Sequence, residues 1–86
     1  MKLHWHHDHG GHRNDYDLMH GPRTVGWVRV VDLPSGGVYY FTIAEWTAQE
    51  HPLDHKEFDS LRKAMRTLRH EYIAHVVSGG KWRDDK

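Results

Sequence analysis

The sequence predicts an α+β domain in which one long C-terminal helix packs on an antiparallel β-hairpin, or on a three-stranded sheet of order β-β-β-α. Three observations carry that expectation. Residues 24–46 are rich in β-branched and aromatic side chains and break at a single turn, LPSGG. Residues 55–77 repeat apolar side chains at three- and four-residue steps. With 86 residues there is room for one small core, burying ~60–65% of the surface that the unfolded chain exposes.

The N-terminal segment is the least regular. Lys2 to His7 (KLHWHH) reads as a third strand, with Leu3 and Trp5 alternating inward. Residues 10–23 (GGHRNDYDLMHGPR) then read as a long connection. The start of the chain, MKLHWHHDHGGH, has no apolar stretch of signal-peptide or membrane-spanning length. The expectation is a soluble, cytoplasmic protein with no membrane partner.

Thr24 to Asp32 (TVGWVRVVD) and Val38 to Trp46 (VYYFTIAEW) form the two arms of the hairpin. Pro34 and Ser35 suit the centre of a type I turn, and Gly36 can take the left-handed conformation of a bulge. If Leu33 pairs with Gly37, one face carries Val25, Trp27, Arg29, Val31, Tyr39, Phe41, Ile43 and Glu45. The other carries Gly26, Val28, Val30, Val38, Tyr40, Thr42, Ala44 and Trp46. Both faces are apolar, yet the sequence offers one long helix to cover them.

That helix is expected over residues 54–78. Asp54 with Glu57 fits a capping box, and Leu53 with Phe58 fits a hydrophobic staple. Ser78-Gly79-Gly80 ends it, with Gly79 at the left-handed position, and residues 79–86 follow as a polar tail. Phe58, Leu61, Met65, Leu68, Tyr72 and Val76 make its apolar stripe. Beside that stripe lie His55, Arg62, Arg66 and Arg69, followed round by Lys63 and His70, with Asp59 interrupting the basic run. Glu57 and Glu71 fall on the opposite flank.

Composition narrows the function. Twelve Lys and Arg balance twelve Asp and Glu, which excludes a simple polycation and an acidic nucleic-acid mimic. No cysteine is present, so disulfides and thiolate zinc sites are excluded. The unusual counts are ten His and four Trp. Ser35, Ser60 and Ser78 stand in no catalytic context, and no Gly-rich phosphate loop or nucleophile elbow occurs. The expectation is therefore a chain that is not an enzyme and requires no cofactor.

Three surfaces remain as candidates. The first is a protein-binding surface on the hairpin, comprising Trp27, Arg29, Tyr39, Tyr40, Phe41 and Trp46, with Trp82 as a clamp from the tail. Trp, Tyr and Arg are the side chains that dominate binding hot spots, and homodimerisation is one way to cover such a face. On this reading the chain is a small binding or regulatory protein acting on a macromolecular partner, most readily a protein. Phage and mobile-element inhibitors and accessory factors often have this size and this lack of catalytic motifs.

The second surface is basic. Arg62, Lys63, Arg66 and Arg69 could hold phosphates, with Trp27, Arg29 and Phe41 offering stacking rings and a guanidinium. In element order the chain resembles the arm-binding domains of tyrosine integrases and ERF-type domains. That resemblance implies nucleic-acid binding through a three-stranded sheet.

The third is the His cluster, His4, His6, Asp8, His9 and His12, suited to zinc or nickel. On a strand His4 and His6 point the same way, as two ligands of one ion must. The run HWHHDH fits H-x-H-x-D-H as His4, His6, Asp8 and His9, and so resembles the signature of metallo-β-lactamase-fold hydrolases. That resemblance implies a metal-dependent hydrolase, but it covers six residues, its Gly-Gly follows one residue early, and the family's αββα fold exceeds 86 residues. Asp8-His9, Asn14 and His20 resemble an HNH nuclease in residue type alone.

Overall fold

The computed structural model describes residues 2–8, 15–47 and 50–82, with only the backbone described at Asp8. Five strands and one helix follow in order: β1 (Leu3–Asp8), β2 (Asp15–His20), β3 (Arg23–Asp32), β4 (Val38–Ala44), β5 (Lys56–Phe58) and α1 (Leu61–Val77). The strands form one sheet in the order β1-β2-β3-β4-β5, and every neighbouring pair is antiparallel. The α+β class and the C-terminal helix are as the sequence predicts; the sheet is wider than predicted.

The central hairpin has the expected register. The Leu33 amide donates to the Gly37 carbonyl at 2.7 Å, and Gly36 (φ 92°) donates to Leu33 O at 2.9 Å. Asp32 faces Val38, Arg29 faces Phe41 and Trp27 faces Ile43. Pairing about the LPSGG turn thus sorts the two faces as alternation requires, with one exception. The register between β2 and β3 shifts at Leu18/Met19, leaving Val25 without a partner of its own on β2. Such a bulge re-aims its extra side chain. Val25 joins the core, fully buried, instead of sharing the face of Trp27.

The segment 15–20, expected to be connection, is a strand inside the sheet, paired with β1 on one side and β3 on the other. Its alternation is real but masked by charge. Leu18 lies in the core and Tyr16 packs against it, whereas Asp15 and Asp17 lie opposite Arg29 and Trp27 on the other face. The N-terminal strand forms as expected, with Leu3 and Trp5 packed against the core.

The start of the helix differs from expectation. Residues 56–58 are a strand, and the residue that caps α1 is Ser60, whose hydroxyl accepts from the Lys63 amide at 3.3 Å. Asp54 does accept amide hydrogen bonds, but across a turn. Its carboxylate takes the Ala44 amide at 2.9 Å and the His51 amide at 3.0 Å, fastening the 50–55 turn to the end of β4. The Thr42 hydroxyl reinforces this by donating to Leu53 O at 2.6 Å. His55 is held at φ 61°, which breaks any helix attempting to start at Asp54. Leu53 and Phe58 are both buried, as core residues and not as a staple. The other end is as expected: Gly80 donates to His75 O at 2.8 Å and Gly79 (φ 78°) to Val76 O at 3.0 Å, a Schellman closure.

The core lies between α1 and one face of the sheet. Ala64, Leu68 and Tyr72 of the helix press on Leu18, Val28, Ala44 and Trp46. The approach is closest at Gly26, where a Cβ would stand 2.7 Å from Ile43 O and 3.3 Å from a Leu68 methyl. The Tyr72 hydroxyl is hydrogen-bonded to His20 Nδ1 at 2.7 Å. Burial pushes the pKa of that phenol upward, opposed by the nearby Arg23 charge. Among the described residues, no helix is long and apolar enough to cross a membrane.

A candidate docking face on the open side of the sheet

Because α1 covers one face, the opposite face of the sheet has no layer over it among the described residues. Residues 3–8 and 15–20 do not cover it, since they extend the sheet sideways as β1 and β2. Its centre is built by cross-strand pairs. Trp27 is opposite Ile43, Arg29 is opposite Phe41, and Val31 is opposite Tyr39. All six are partly exposed, and none belongs to the buried core cluster.

The rings on this face touch one another. Phe41 lies 6.5 Å from Tyr39 and 5.7 Å from the His55 ring, centroid to centroid. The Arg29 guanidinium sits 5.6 Å above the Phe41 ring, a geometry that attracts a cation to the ring quadrupole. Its Nε is 3.5 Å from Asp15 Oδ1, an ion pair longer than a good hydrogen bond, and Asp15 is only 6% exposed. Arg29 is therefore pinned flat against the sheet from both sides. The Trp27 indole nitrogen is buried without a hydrogen-bond partner among the described residues.

The charges around this face are mostly negative. Asp17 stands opposite Trp27, and Glu57 opposite Phe41. Glu45 stands just past the end of β4, its amide donating to Val25 O at 2.9 Å.

Of the six residues expected to bind a partner, Trp27, Arg29, Tyr39 and Phe41 lie together here. Tyr40 and Trp46 lie on the helix side: Tyr40 packs against the core, and Trp46 is 1% exposed. Trp82 packs 6.0 Å from the Tyr72 ring with the Arg23 guanidinium 4.1 Å from its own, against the core on the helix side and away from the open face. His55, expected on the helix, stacks on Phe41 instead. Asp15 and Asp17 were not singled out from the sequence; the period-two pattern of DYDLMH is the signal that would have placed them.

The basic flank survives and is cleaner than expected. Arg62, Lys63, Arg66 and Arg69 are all exposed on α1, and none of them enters an ion pair among the described residues. Asp59 and Glu57 precede the helix, leaving Glu71 as its one acidic residue.

In the His cluster, His4 and His6 are exposed on β1, on the open face opposite Met19 and Asp17. His7 points to the helix side and stacks on Tyr16 at 4.0 Å. His9 and His12 lie outside the described residues, as does the Asp8 side chain. Among the described residues no three His, Asp or Glu side chains converge on a metal-sized site. The αββα sandwich of the metallo-β-lactamase fold does not fit one sheet carrying one helix.

An open cleft of about 450 Å³ lies at the other edge, between Tyr39, Phe58 and Lys63. Its charged groups, Lys56, Glu57, Asp59 and Lys63, are two of each sign and include no nucleophile beside a base. Comparison with protein-family models, with curated proteins and with solved structures found no match to this chain.

Proposed function

We propose that this chain works by docking the open face of its sheet on a partner protein. The observation that carries the reading is the row of cross-strand pairs Trp27–Ile43, Arg29–Phe41 and Val31–Tyr39, which contributes nothing to the buried core. Rigid aromatic and Arg side chains on a flat strand surface are what a binding hot spot needs. The carboxylates Asp17 and Glu57 opposite that row repel phosphate, and Arg29 is already engaged by Asp15, so a protein suits this face better than nucleic acid.

The test compares wild type with Trp27→Ser/Phe41→Ser, confirmed as folded by circular dichroism. A partner captured by the wild type is purified and titrated calorimetrically against both. Loss of at least tenfold in affinity for the double variant supports the reading; equal affinity overturns it.

A second reading is favoured by one specific observation, the four exposed cations of α1 that enter no ion pair among the described residues. On that reading Arg62, Lys63, Arg66 and Arg69 hold the phosphate backbone of a nucleic acid, with no base readout. Affinity for duplex DNA should then fall steeply between 50 and 200 mM salt. Absence of binding at the lower concentration sinks it.

A further inference from the structure

We propose that β1 is a two-fold pairing edge, and that zinc joins two copies of the chain there through His4 and His6 of each. Strand β1 pairs with β2 on one side and with nothing described on the other. Edges of this kind are normally blunted by Lys, Pro, a bulge or very short length. Here six residues, LHWHHD, run with no proline, no lysine and no charge before the terminal Asp8.

The imidazoles make half a site. His4 and His6 are exposed and share the open face, and among the described residues they belong to no group of three His, Asp or Glu side chains that could hold a metal ion. A closed zinc site takes four ligands in a tetrahedron. Two are present, side by side at the i and i+2 spacing of a strand, about 6.7 Å apart.

A second copy supplies the rest. When two identical edges pair antiparallel about a two-fold axis normal to the sheet, the open faces stay on the same side. With Trp5 opposite its own symmetry mate, His4 of one copy lies directly across from His6 of the other, and the reverse. Directly opposed residues have Cβ atoms about 4.5–5.5 Å apart. Four imidazoles then stand at the corners of a small rectangle on one face, each able to reach a common ion at the ordinary zinc–nitrogen distance of about 2.0–2.1 Å.

This register gathers all four imidazoles, and it leaves nearly the whole strand paired. On the helix side it sets Trp5 against Trp5 and Leu3 against His7, so partly exposed apolar surface at the margin of the core is covered in the same step. Asp17, opposite His6 on β2, stands where a carboxylate supports a metal-bound imidazole.

The experiment uses the full chain, stripped with chelator and then titrated with zinc chloride, followed by sedimentation velocity and by metal analysis of the sedimenting species. The expected result is a doubling of mass with one zinc bound for every two chains, reversed by chelator. His4→Ala and His6→Ala should each abolish the doubling, whereas His70→Ala, on the exposed side of α1, should leave it intact. Zinc uptake by a chain that stays monomeric overturns the proposal, as does a dimer that forms equally without zinc or in His4→Ala.

Discussion

Trp27 on the open face of β3 and Trp46 in the turn just past β4 should differ sharply in what they contribute to stability. Trp46 is 1% exposed and sits edge-on to Tyr72 at 5.3 Å and to His51 at 5.2 Å. Truncating a buried Trp to Ala costs about 3–5 kcal/mol. At about 0.05–0.15 kcal/mol per residue, an 86-residue chain has roughly 4–13 kcal/mol in total. Trp46→Ala therefore removes about a quarter of the stability or more, and the gentler Trp46→Leu about half as much.

Trp27 faces Asp17 and Ile43 across its two neighbouring strands, and among the described residues no layer of structure covers its face of the sheet. Each cross-strand pair is worth roughly 0.2–1 kcal/mol, so Trp27→Ala should cost about 1 kcal/mol. The assay is urea denaturation followed by far-ultraviolet circular dichroism, at chain concentrations where the protein sediments as a monomer. The transition midpoint should move at least twice as far for Trp46→Ala as for Trp27→Ala, at unchanged slope. Equal shifts would mean that the face carrying Trp27 is covered in the free chain, and the docking surface would no longer exist.

Gly26→Ala places a methyl 2.7 Å from Ile43 O, against backbone that cannot swing away, and should cost about 1–3 kcal/mol; a thermal shift of only a degree or two would show that the sheet relaxes freely there. Asp54→Ala removes the acceptor of two amides and should destabilise by about 1–3 kcal/mol, read as faster hydrogen exchange at Ala44 and His51; unchanged exchange would refute the turn's role. Tyr72, whose pKa is raised in the folded chain, contributes stability that is full below the ordinary phenol value of about 10 and is lost as pH rises through the raised value. Unfolding midpoints should thus fall more steeply above about pH 10 for wild type than for Tyr72→Phe, and parallel curves would contradict the assignment.

The parts of this fold that were legible in the sequence are those governed by one dominant period. The hairpin register followed from a single turn and strict alternation, and the C-terminal half of α1 from its apolar stripe and Gly79. Strand β2 was hidden because Asp15 and Asp17 occupy its open face, so its pattern reads as polar connection. The helix start was misplaced because Asp54 can satisfy amides in a turn as well as at a cap, and the left-handed His55 that decides between them leaves no composition signal. For the candidate site, alternation grouped Trp27, Arg29, Tyr39 and Phe41 correctly. It could not say which face the helix would choose. Gly26 lies on the face that the helix covers, where its missing Cβ leaves room for Leu68 beside the backbone.

The separation of charge between the two layers gives the molecule a direction. Among the described residues the exposed cations Arg62, Lys63, Arg66 and Arg69 belong to α1, on one side of the core, and Asp17 and Glu57 lie on the face on the other. Charges of the described residues so divided set an electric dipole across the two layers, which in the field of an anionic body feels a torque even without a net pull. It would arrive helix first, with the aromatic rows of β3 and β4 turned outward to whatever diffuses past. Attachment on one side and presentation on the other would then be a single act of orientation, weakening together as salt shortens the reach of the field.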